Sequence, residues 1–259
     1  MPTALLNGID LYYEDSGSGF PIVLTHGFAD SAALWTGNVP ALTGAGYRAV
    51  TWDMLGHFRT AAPADLERYT QDAVVEDLKA LVDHLGISRA VFGGHSLGGY
   101  TSMRFYEKYP AYVAALVLSG TGPGYRNPAG LQSWTDNRLR VAESLEAKGL
   151  ETRLDARSER LGSVPPGVDV THTARGVAWV SRGVMVNPPL VDPKGFAVPV
   201  LALVGERDEP FLNSTDYVAN RAPDGRKVII PDAGHAAMFE QPATWNREVL
   251  AFLAGLALA

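Results

Sequence analysis

The chain has 259 residues, of which 46% are hydrophobic and 19% are charged. This length and composition allow one sizeable buried core in a globular domain. The formal net charge of -6 argues against the basic surface with which proteins hold nucleic acids or anionic membranes. Because the chain has no cysteine, a disulfide framework, a thiolate nucleophile and a sulfur-ligated zinc site are excluded.

The N-terminal sequence MPTALLNG has no basic segment and no apolar run of the length found in signal peptides. No later run approaches the ~20 consecutive apolar residues of a membrane helix. We therefore predict a cytoplasmic protein with no membrane span and no nucleic-acid partner.

The first predicted element is a β-hairpin that turns on Asn7 and Gly8. Short apolar runs rich in Val, Leu and Ile then recur without clean alternation, which is typical of strands buried on both faces. These runs cover residues 21–25, 47–52, 90–92, 115–118, 199–204 and 227–230.

Helical patterns lie between the predicted strands, and the clearest covers residues 70–85. Thr70 suits its N-cap, Asp72 suits the positive end of its dipole, and Gly86 suits a left-handed residue at its end. A further helix is expected over residues 245–258. Alternating strands and helices predict a mostly parallel sheet with right-handed crossovers.

The stretch from residue 122 to residue 193 breaks this alternation, with helical pieces around 134–148 and proline-rich breaks at 165–167 and 187–189. We interpret it as a helical cap inserted into one core domain. The predicted division is residues 1–121 for the first part of the core, 122–193 for the cap and 194–259 for the second part of the core.

The sequence G-H-S-L-G at residues 94–98 follows a predicted strand and precedes a predicted helix over 97–109. A tight strand-to-helix turn raises a serine hydroxyl clear of the sheet, and flanking glycines permit the close backbone approach. Ser96 is therefore the candidate nucleophile. The backbone N–H of Leu97, at the start of the helix, is the first candidate donor to an oxyanion. The alternative is a chance occurrence of five common residues, against which the strand and helix context argues.

These features resemble the α/β-hydrolase superfamily, and the resemblance covers nearly the whole chain. It implies a mostly parallel eight-stranded sheet with an antiparallel N-terminal hairpin, helices on both faces and a small helical cap. His26, Gly27 and Phe28, directly after the strand 21–25, are similar to the family's oxyanion-loop motif. The resemblance makes the Phe28 N–H the second oxyanion donor and gives the His26 side chain a structural role.

The general base and its acid are expected in loops after the last two strands, since this fold places them after the nucleophile in the order acid, then histidine. Among the six histidines, only His235 follows the last predicted strand. In the preceding strand-end loop the family's pattern G-x-x-D selects Asp208, with Glu206 and Glu209 as weaker choices. An ordinary solvated loop is the alternative reading of both positions.

A fourth loop, residues 53–60, is similar to the family's D-x-R-G-x-G-x-S segment but departs from it, for example with Phe58 in place of the second Gly. We expect Asp53 and Gly56 to be structural. Phe58 and Arg59 stay outside the predicted site, because a surface loop explains them as well as a pocket wall does.

The implied reaction is acyl transfer in two steps, in which Ser96 attacks a carbonyl while His235 takes its proton. The oxyanion is held by the N–H groups of Phe28 and Leu97, and water then releases the acyl group. No metal ion or organic cofactor is required. Serine at this position argues against the haloalkane dehalogenases and epoxide hydrolases of the fold, which use an Asp nucleophile.

Three functions are compatible with these residues. We favour a hydrolase of carboxylic esters or lactones. A carbon–carbon bond hydrolase or a cofactor-free haloperoxidase-like enzyme uses the same triad, and a non-hydrolytic ligand-binding receptor is the third possibility.

The cap should decide the substrate, because in this fold it roofs the site. Its apolar candidates for the pocket wall are Trp134, Leu139, Trp179, Val184 and Met185, and packing within the cap explains them equally well. We predict a small-molecule substrate with a small or medium, mainly apolar acyl group. The sequence makes no prediction of the oligomeric state.

Overall fold

The structure is a computed structural model that describes residues 3–149 and 170–258 of the chain. The strands in these ranges are β1 (Thr3–Leu6), β2 (Ile9–Gly17), β3 (Pro21–Thr25), β4 (Arg48–Trp52), β5 (Ala90–His95), β6 (Val113–Ser119), β7 (Val200–Gly205) and β8 (Gly225–Ile230). The α-helices are α1 (Val39–Gly44), α2 (Gln71–His84), α3 (Leu97–Lys108), α4 (Pro128–Lys148), α5 (Val170–Trp179), α6 (Glu209–Arg221), α7 (Ala237–Glu240) and α8 (Pro242–Ala254).

The described strands form one eight-stranded sheet in the order β1-β2-β4-β3-β5-β6-β7-β8. Strand β2 is antiparallel to both of its neighbours, and every other neighbouring pair is parallel. The predicted hairpin is confirmed, since Leu6 lies opposite Ile9, and Asn7 and Gly8 have φ values of 48° and 78°. Positive φ at both central residues matches the type I′ turn that fits the twist of a two-residue hairpin.

Alternate residues of the central strands enter two different cores, one on each face of the sheet. In β5, Val91 belongs to the core that contains Trp35 and Trp245, whose ring centroids lie 5.7 Å apart. The next residue, Phe92, belongs to the opposite core and stacks on Phe105 of α3 at 4.4 Å. Because these strands are buried on both faces, their sequences are continuous apolar runs.

Several predicted elements have other ends in the structure, and β5 and α8 are two examples. Strand β5 continues to His95, beyond the predicted residues 90–92, because its last part contains glycines that carry no hydrophobic signal. Helix α8 covers Pro242–Ala254 instead of residues 245–258. It begins early because proline fits the first helical turn, where no backbone N–H is needed.

Helix α2 confirms the predicted caps. The Thr70 hydroxyl accepts a hydrogen bond from the Ala73 N–H at 3.1 Å, and Gly86 follows the helix with a φ of 66°. Within residues 3–149 and 170–258, every helix is too short or too polar to cross a membrane.

The β6–β7 segment, residues 120–199, contains α4 and α5. It lies on core loops through direct backbone contacts: a Cβ atom on Gly176 would lie 2.2 Å from the carbonyl oxygen of Gly56. A Cβ atom on Gly183 would lie 2.1 Å from the carbonyl oxygen of Tyr69. These distances leave no space for a side chain, so α5 and the turn that follows it pack directly against the core.

The predicted proline break at 165–167 lies outside the described residues, and residues 187–189 belong to no helix or strand. The division of the chain at residues 121 and 193 stays a prediction.

Candidate active site

Five neighbouring parallel strands, β3, β5, β6, β7 and β8, end at the same edge of the sheet. Four candidate site residues follow these ends directly: Phe28 follows β3, Ser96 follows β5, Asp208 follows β7 and His235 follows β8. In open α/β sheets, this edge is where ligands bind.

Ser96 occupies a sharp turn between β5 and α3, with φ 51° and ψ -113°. The turn needs glycine on both sides, because a Cβ on Gly94 would lie 2.2 Å from the carbonyl carbon of Gly98. Three hydrogen bonds hold the serine backbone in this strained conformation. Its N–H donates to the Ser119 carbonyl at 3.0 Å, and its carbonyl accepts from the Thr121 hydroxyl at 2.7 Å and from the Tyr100 N–H at 3.1 Å. Strain that is fixed by its surroundings is a common feature of functional positions.

His235 and Asp208 form a hydrogen-bonded pair, with Nδ1 of the histidine 2.8 Å from Oδ2 of the aspartate. The Asp208 side chain is 4% exposed, whereas His235 is 28% exposed. A carboxylate accepts hydrogen bonds, so Nδ1 carries the proton and Nε2 keeps a free lone pair. That tautomer is the one that a general base requires.

The turn between Ser119 and Thr121 joins the serine to this pair. Gly120 has a φ of 55°, and a Cβ there would lie 3.2 Å from His235 Nδ1 and 3.3 Å from Asp208 Oδ2. The preceding residue, Ser119, accepts the Ser96 N–H. The three predicted triad residues are therefore brought to one corner of the sheet edge.

Two residues that the sequence analysis missed support the histidine loop. The carboxylate of Glu240 accepts the N–H of Gly234 at 2.7 Å and that of Ala236 at 3.2 Å, on either side of His235. The ring of Phe211 stacks on the imidazole with centroids 4.7 Å apart. The Phe211 contact depends on how α6 docks, which no local sequence pattern records. The Glu240 contacts span only four and six residues, so an acidic residue shortly after the Gly-His pair was a local signal that could have indicated them.

The loop that carries Phe28 is braced by two buried histidines. Nε2 of His26 accepts the Met54 N–H at 2.9 Å, and Nε2 of His57 accepts the Ala29 N–H at 3.1 Å. Their rings lie edge to face with centroids 4.9 Å apart. The structural role expected for His26 agrees with these contacts, whereas the part played by His57 was missed.

Asp53 connects the same loop to the end of β4. Its carboxylate accepts the N–H groups of Ala32 at 2.6 Å and Arg59 at 3.1 Å. Burial raises the pKa of Asp53 to about 6, although both backbone donors act in the opposite direction. Asp53 is thus structural, as expected.

The loop of residues 53–60 also carries Phe58 and Arg59, which lie outside the predicted site. Phe58 takes a φ of 38° at the position where the family's pattern has glycine. Arg59 stacks over the ring of Tyr12 at 4.4 Å and contacts Glu14 at 3.3 Å. Neither Phe58 nor Arg59 lines the cavity described next.

Leu97 is the first residue of α3, where backbone N–H groups have no acceptor within the helix. The N–H of Leu97 and the N–H of Phe28 therefore stay the predicted oxyanion donors. Phe28 is 5% exposed, so its backbone lies in a region from which water is largely excluded.

A cavity of about 210 Å³ opens beside Ser96. Several polar atoms of its wall are bonded to backbone carbonyls: the Tyr100 hydroxyl donates to Pro189 at 2.6 Å, and the Trp134 indole donates to Met185 at 2.7 Å. The wall is consequently largely apolar. Its residues are Ser96, Leu97, Tyr100, Thr121, Gly122, Gly124, Tyr125, Trp134, Val184, Met185, Pro188, Pro210, Phe211 and Ser214.

The sequence offered five apolar candidates for this wall, with packing within the predicted cap as the alternative, and three of them line the cavity. Trp134, Val184 and Met185 line the cavity, but Leu139 and Trp179 do not. Leu139 lies five residues after Trp134, which turns it about 140° around the helix. Trp179 instead packs edge-on against Tyr69 of the core at 5.4 Å.

The chain is similar to a known protein family and to several known proteins. A family model described as "alpha/beta hydrolase fold" matches residues 21–163, more than half of the chain. A protein of Bacillus subtilis (strain 168) named putative 2-succinyl-6-hydroxy-2,4-cyclohexadiene-1-carboxylate synthase is 29% identical over 264 residues, which cover 94% of this chain and 93% of that protein. A non-heme haloperoxidase of Rhodococcus erythropolis is 28% identical over 275 residues, covering 95% and 97%.

A solved structure of a thermophilic esterase from Thermogutta terrifontis superposes with a TM-score of 0.85 at 26% identity, covering 98% of this chain and 97% of that one. The family model and the fold lead to one conclusion: the chain belongs to the α/β-hydrolase fold family.

Proposed function

We propose that the protein is a serine hydrolase that cleaves a carboxylic ester or lactone through an acyl-enzyme on Ser96. The observation that carries this proposal is the Asp208–His235 hydrogen bond at 2.8 Å, beside the strained turn that presents Ser96 to an apolar cavity. A buried carboxylate that fixes the imidazole and a serine at a strand-to-helix turn are the parts that acyl transfer needs.

In the first half of the proposed reaction, Nε2 of His235 removes the Ser96 hydroxyl proton as Oγ attacks the substrate carbonyl. The carbonyl π electrons move onto oxygen, and the N–H groups of Phe28 and Leu97 stabilise that oxyanion. When the tetrahedral intermediate collapses, the bond to the leaving group breaks. The imidazolium gives its proton to the departing alcohol, and the acyl group stays on Ser96.

In the second half, a water molecule attacks the acyl carbon while Nε2 of His235 takes its proton. The same oxyanion donors act again, and the proton on His235 returns to Ser96 Oγ as the acid leaves. Asp208 keeps its charge throughout and stabilises the imidazolium in both halves.

The β6–β7 segment supports a mainly apolar acyl group, and we propose that it is the cap of this hydrolase. Trp134 and Met185 of the segment line the cavity together with Phe211 of α6, and the Trp134 indole N–H donates to a backbone carbonyl. A wall of carbon atoms favours apolar groups over polar ones by about 25 cal/mol per Å² of surface removed from water. A cytoplasmic location stays a prediction.

Hydrolysis of 4-nitrophenyl acetate and butyrate tests the proposal, together with labelling by a fluorophosphonate followed by mass spectrometry. We expect turnover and a label on Ser96, and loss of both in Ser96→Ala. The matched control is Ser133→Ala, which removes an exposed hydroxyl from α4 and should change neither result.

A second candidate uses the same residues on a carbon–carbon bond, and the similarity to the Bacillus subtilis synthase favours it over a receptor. Labelling of Ser96 without turnover of any ester or lactone would support this second candidate. Absence of both labelling and turnover would reject a serine mechanism altogether.

A further inference from the structure

An exposed arginine, next in sequence to a residue of the cavity wall, lies over an aromatic ring. The Arg126 guanidinium carbon lies 5.6 Å from the ring centroid of Tyr217. Arg126 directly follows Tyr125, which lines the cavity, and Tyr217 follows Ser214, another wall residue, by three positions in α6. Residues three apart on a helix share a face. Arg126 is therefore held where the cavity meets the surface.

Among residues 3–149 and 170–258, no carboxylate forms an ion pair with Arg126. The second guanidinium on the Tyr217 ring belongs to Arg221, at 5.7 Å, and Asp192 binds it through two hydrogen bonds of 2.5 and 2.9 Å.

Two acidic residues lie on α6. Asp216, directly before Tyr217, is bound by Nζ of Lys227 at 2.5 Å. Glu209, the first residue of the helix, precedes Tyr217 by eight positions, or about 12 Å along the helix at ~1.5 Å per residue. This distance exceeds the Debye length of roughly 8 Å at physiological ionic strength. Glu209 is thus too far from Tyr217 to cancel the charge that lies over its ring.

The position of the Arg126 guanidinium over the Tyr217 ring suits recognition of a carboxylate. A guanidinium that makes a cation–π contact with a ring keeps N–H groups that can donate two parallel hydrogen bonds to a carboxylate. The ring also restricts the side chain, which lowers the entropy cost of binding.

We propose that Arg126 binds a carboxylate on the substrate, at the end remote from the reacting carbonyl, while the apolar part of the substrate fills the cavity. The inference rests on the proposed function, because it requires the carbonyl to react at Ser96. It names a substrate class, esters or lactones with one anionic group, which the apolar wall by itself does not imply.

Two matched substrate pairs test this inference. The first compares the mono-4-nitrophenyl ester of adipic acid with 4-nitrophenyl hexanoate, which places the carboxylate on the acyl side. The second compares 4-carboxyphenyl hexanoate with 4-carbamoylphenyl hexanoate, which places it on the leaving-group side. The measured quantity is the ratio of kcat/KM for the anionic and the neutral member of each pair.

We expect Arg126→Gln to lower this ratio about fivefold in at least one pair, mainly through KM, as for the loss of a favourable ion pair near the surface. Arg126→Lys should retain part of the effect. The control is Arg89→Gln, which removes an exposed charge directly before β5, at the opposite edge of the sheet, and should change neither ratio. Added salt should weaken the preference in wild type and leave Arg126→Gln unchanged.

Equal changes for anionic and neutral members, or no change in either pair, would overturn the inference while leaving ester hydrolysis intact. Failure to turn over any ester would instead count against the proposed function. In that event, calorimetric binding of monomethyl adipate to Ser96→Ala, with and without Arg126→Gln, still decides the role of Arg126. Equal affinities would reject it.

Discussion

The imidazole of His235 is fixed by contacts on several sides. Asp208 holds Nδ1, Phe211 stacks on the ring, and Glu240 holds the backbone N–H groups before and after the residue. His95, next to Ser96, approaches the His235 carbonyl with its Nε2 at 3.0 Å. A base that is held in this way loses little entropy when it begins to accept the serine proton.

The acid of the proposed triad can be tested by removing only its charge. Asp208→Asn should lower kcat for 4-nitrophenyl butyrate about 10⁴-fold, because the amide favours the wrong imidazole tautomer. Glu206→Gln is the control, since Glu206 is an exposed carboxylate in the same loop and should leave kcat within about twofold. A large loss in Glu206→Gln with little loss in Asp208→Asn would reverse the assignment.

Gly120 offers a second test at the residue scale, because its missing side chain makes room for the pair. In Gly120→Ala, the new methyl group would meet His235 Nδ1 and Asp208 Oδ2 at 3.2 and 3.3 Å. We expect kcat to fall roughly 10- to 100-fold, as for a displacement of about 1 Å at a catalytic group. The measurement is a steady-state assay alongside urea unfolding.

The matched control for this variant is Gly86→Ala, whose φ is 66° and whose new methyl group would meet no atom within 4 Å. Both variants should lose about 1–2 kcal/mol of stability from the left-handed backbone, but only Gly120→Ala should lose kcat. Equal kcat values in the two variants would show that the contact with the pair has no catalytic consequence.

At the scale of elements, the seating of the β6–β7 segment determines the cavity. Trp134 and Met185 can line it only while α4, α5 and the turn after α5 stay against the core. The backbone contacts of Gly176 with Gly56 hold that position without any side chain between them.

Gly176→Ala should therefore displace α5, because its methyl group would lie 2.2 Å from the Gly56 carbonyl oxygen. We expect a loss of about 2–3 kcal/mol in unfolding free energy, typical of overpacking, and a higher KM for 4-nitrophenyl butyrate. Gly195→Ala is the control in the same segment, since a methyl group there has no atom within 4 Å. A KM unchanged in Gly176→Ala would contradict the proposed coupling between helix position and cavity shape.

At the scale of the whole molecule, burial of Asp53 makes folding depend on pH. Its pKa is raised from 3.8 to about 6, so the folded state holds the proton more tightly than the unfolded chain. The stabilising contribution is complete below pH 3.8 and disappears as the pH rises through 6. A shift of about two pKa units corresponds to roughly 3 kcal/mol.

The corresponding measurement is urea unfolding of wild type and Asp53→Asn between pH 4 and pH 7. The stability of wild type relative to the variant should fall by up to about 3 kcal/mol across this range, because only wild type acquires a buried charge. Burial also raises the pKa of Asp77, but that residue is present in both proteins, so its contribution cancels in the difference. A difference that does not vary with pH would contradict the prediction.

Much of the molecule was predictable from short windows of sequence. The Asn7-Gly8 turn, the capped helix α2 and the glycines around Ser96 depend on backbone conformations that neighbouring residues dictate. The order of strands and helices followed from the same local signals. Phe28, Asp208 and His235 were predicted from the resemblance to α/β-hydrolases together with their positions after strands, and the ends of those parallel strands meet at one edge.

Only the tertiary structure determines which residues line the cavity and which distant residues support the candidate site. Phe211 and Ser214 reach the cavity because α6 is seated beside the β6–β7 segment, and Leu139 misses it because of its position around α4. Arg126 and Tyr217 are far apart in the chain, yet the guanidinium of one lies over the ring of the other. Such contacts depend on how elements dock, and no periodicity in a single chain segment records them. The sequence by itself thus determined the fold and the candidate triad, whereas packing between distant elements determined what the site can bind.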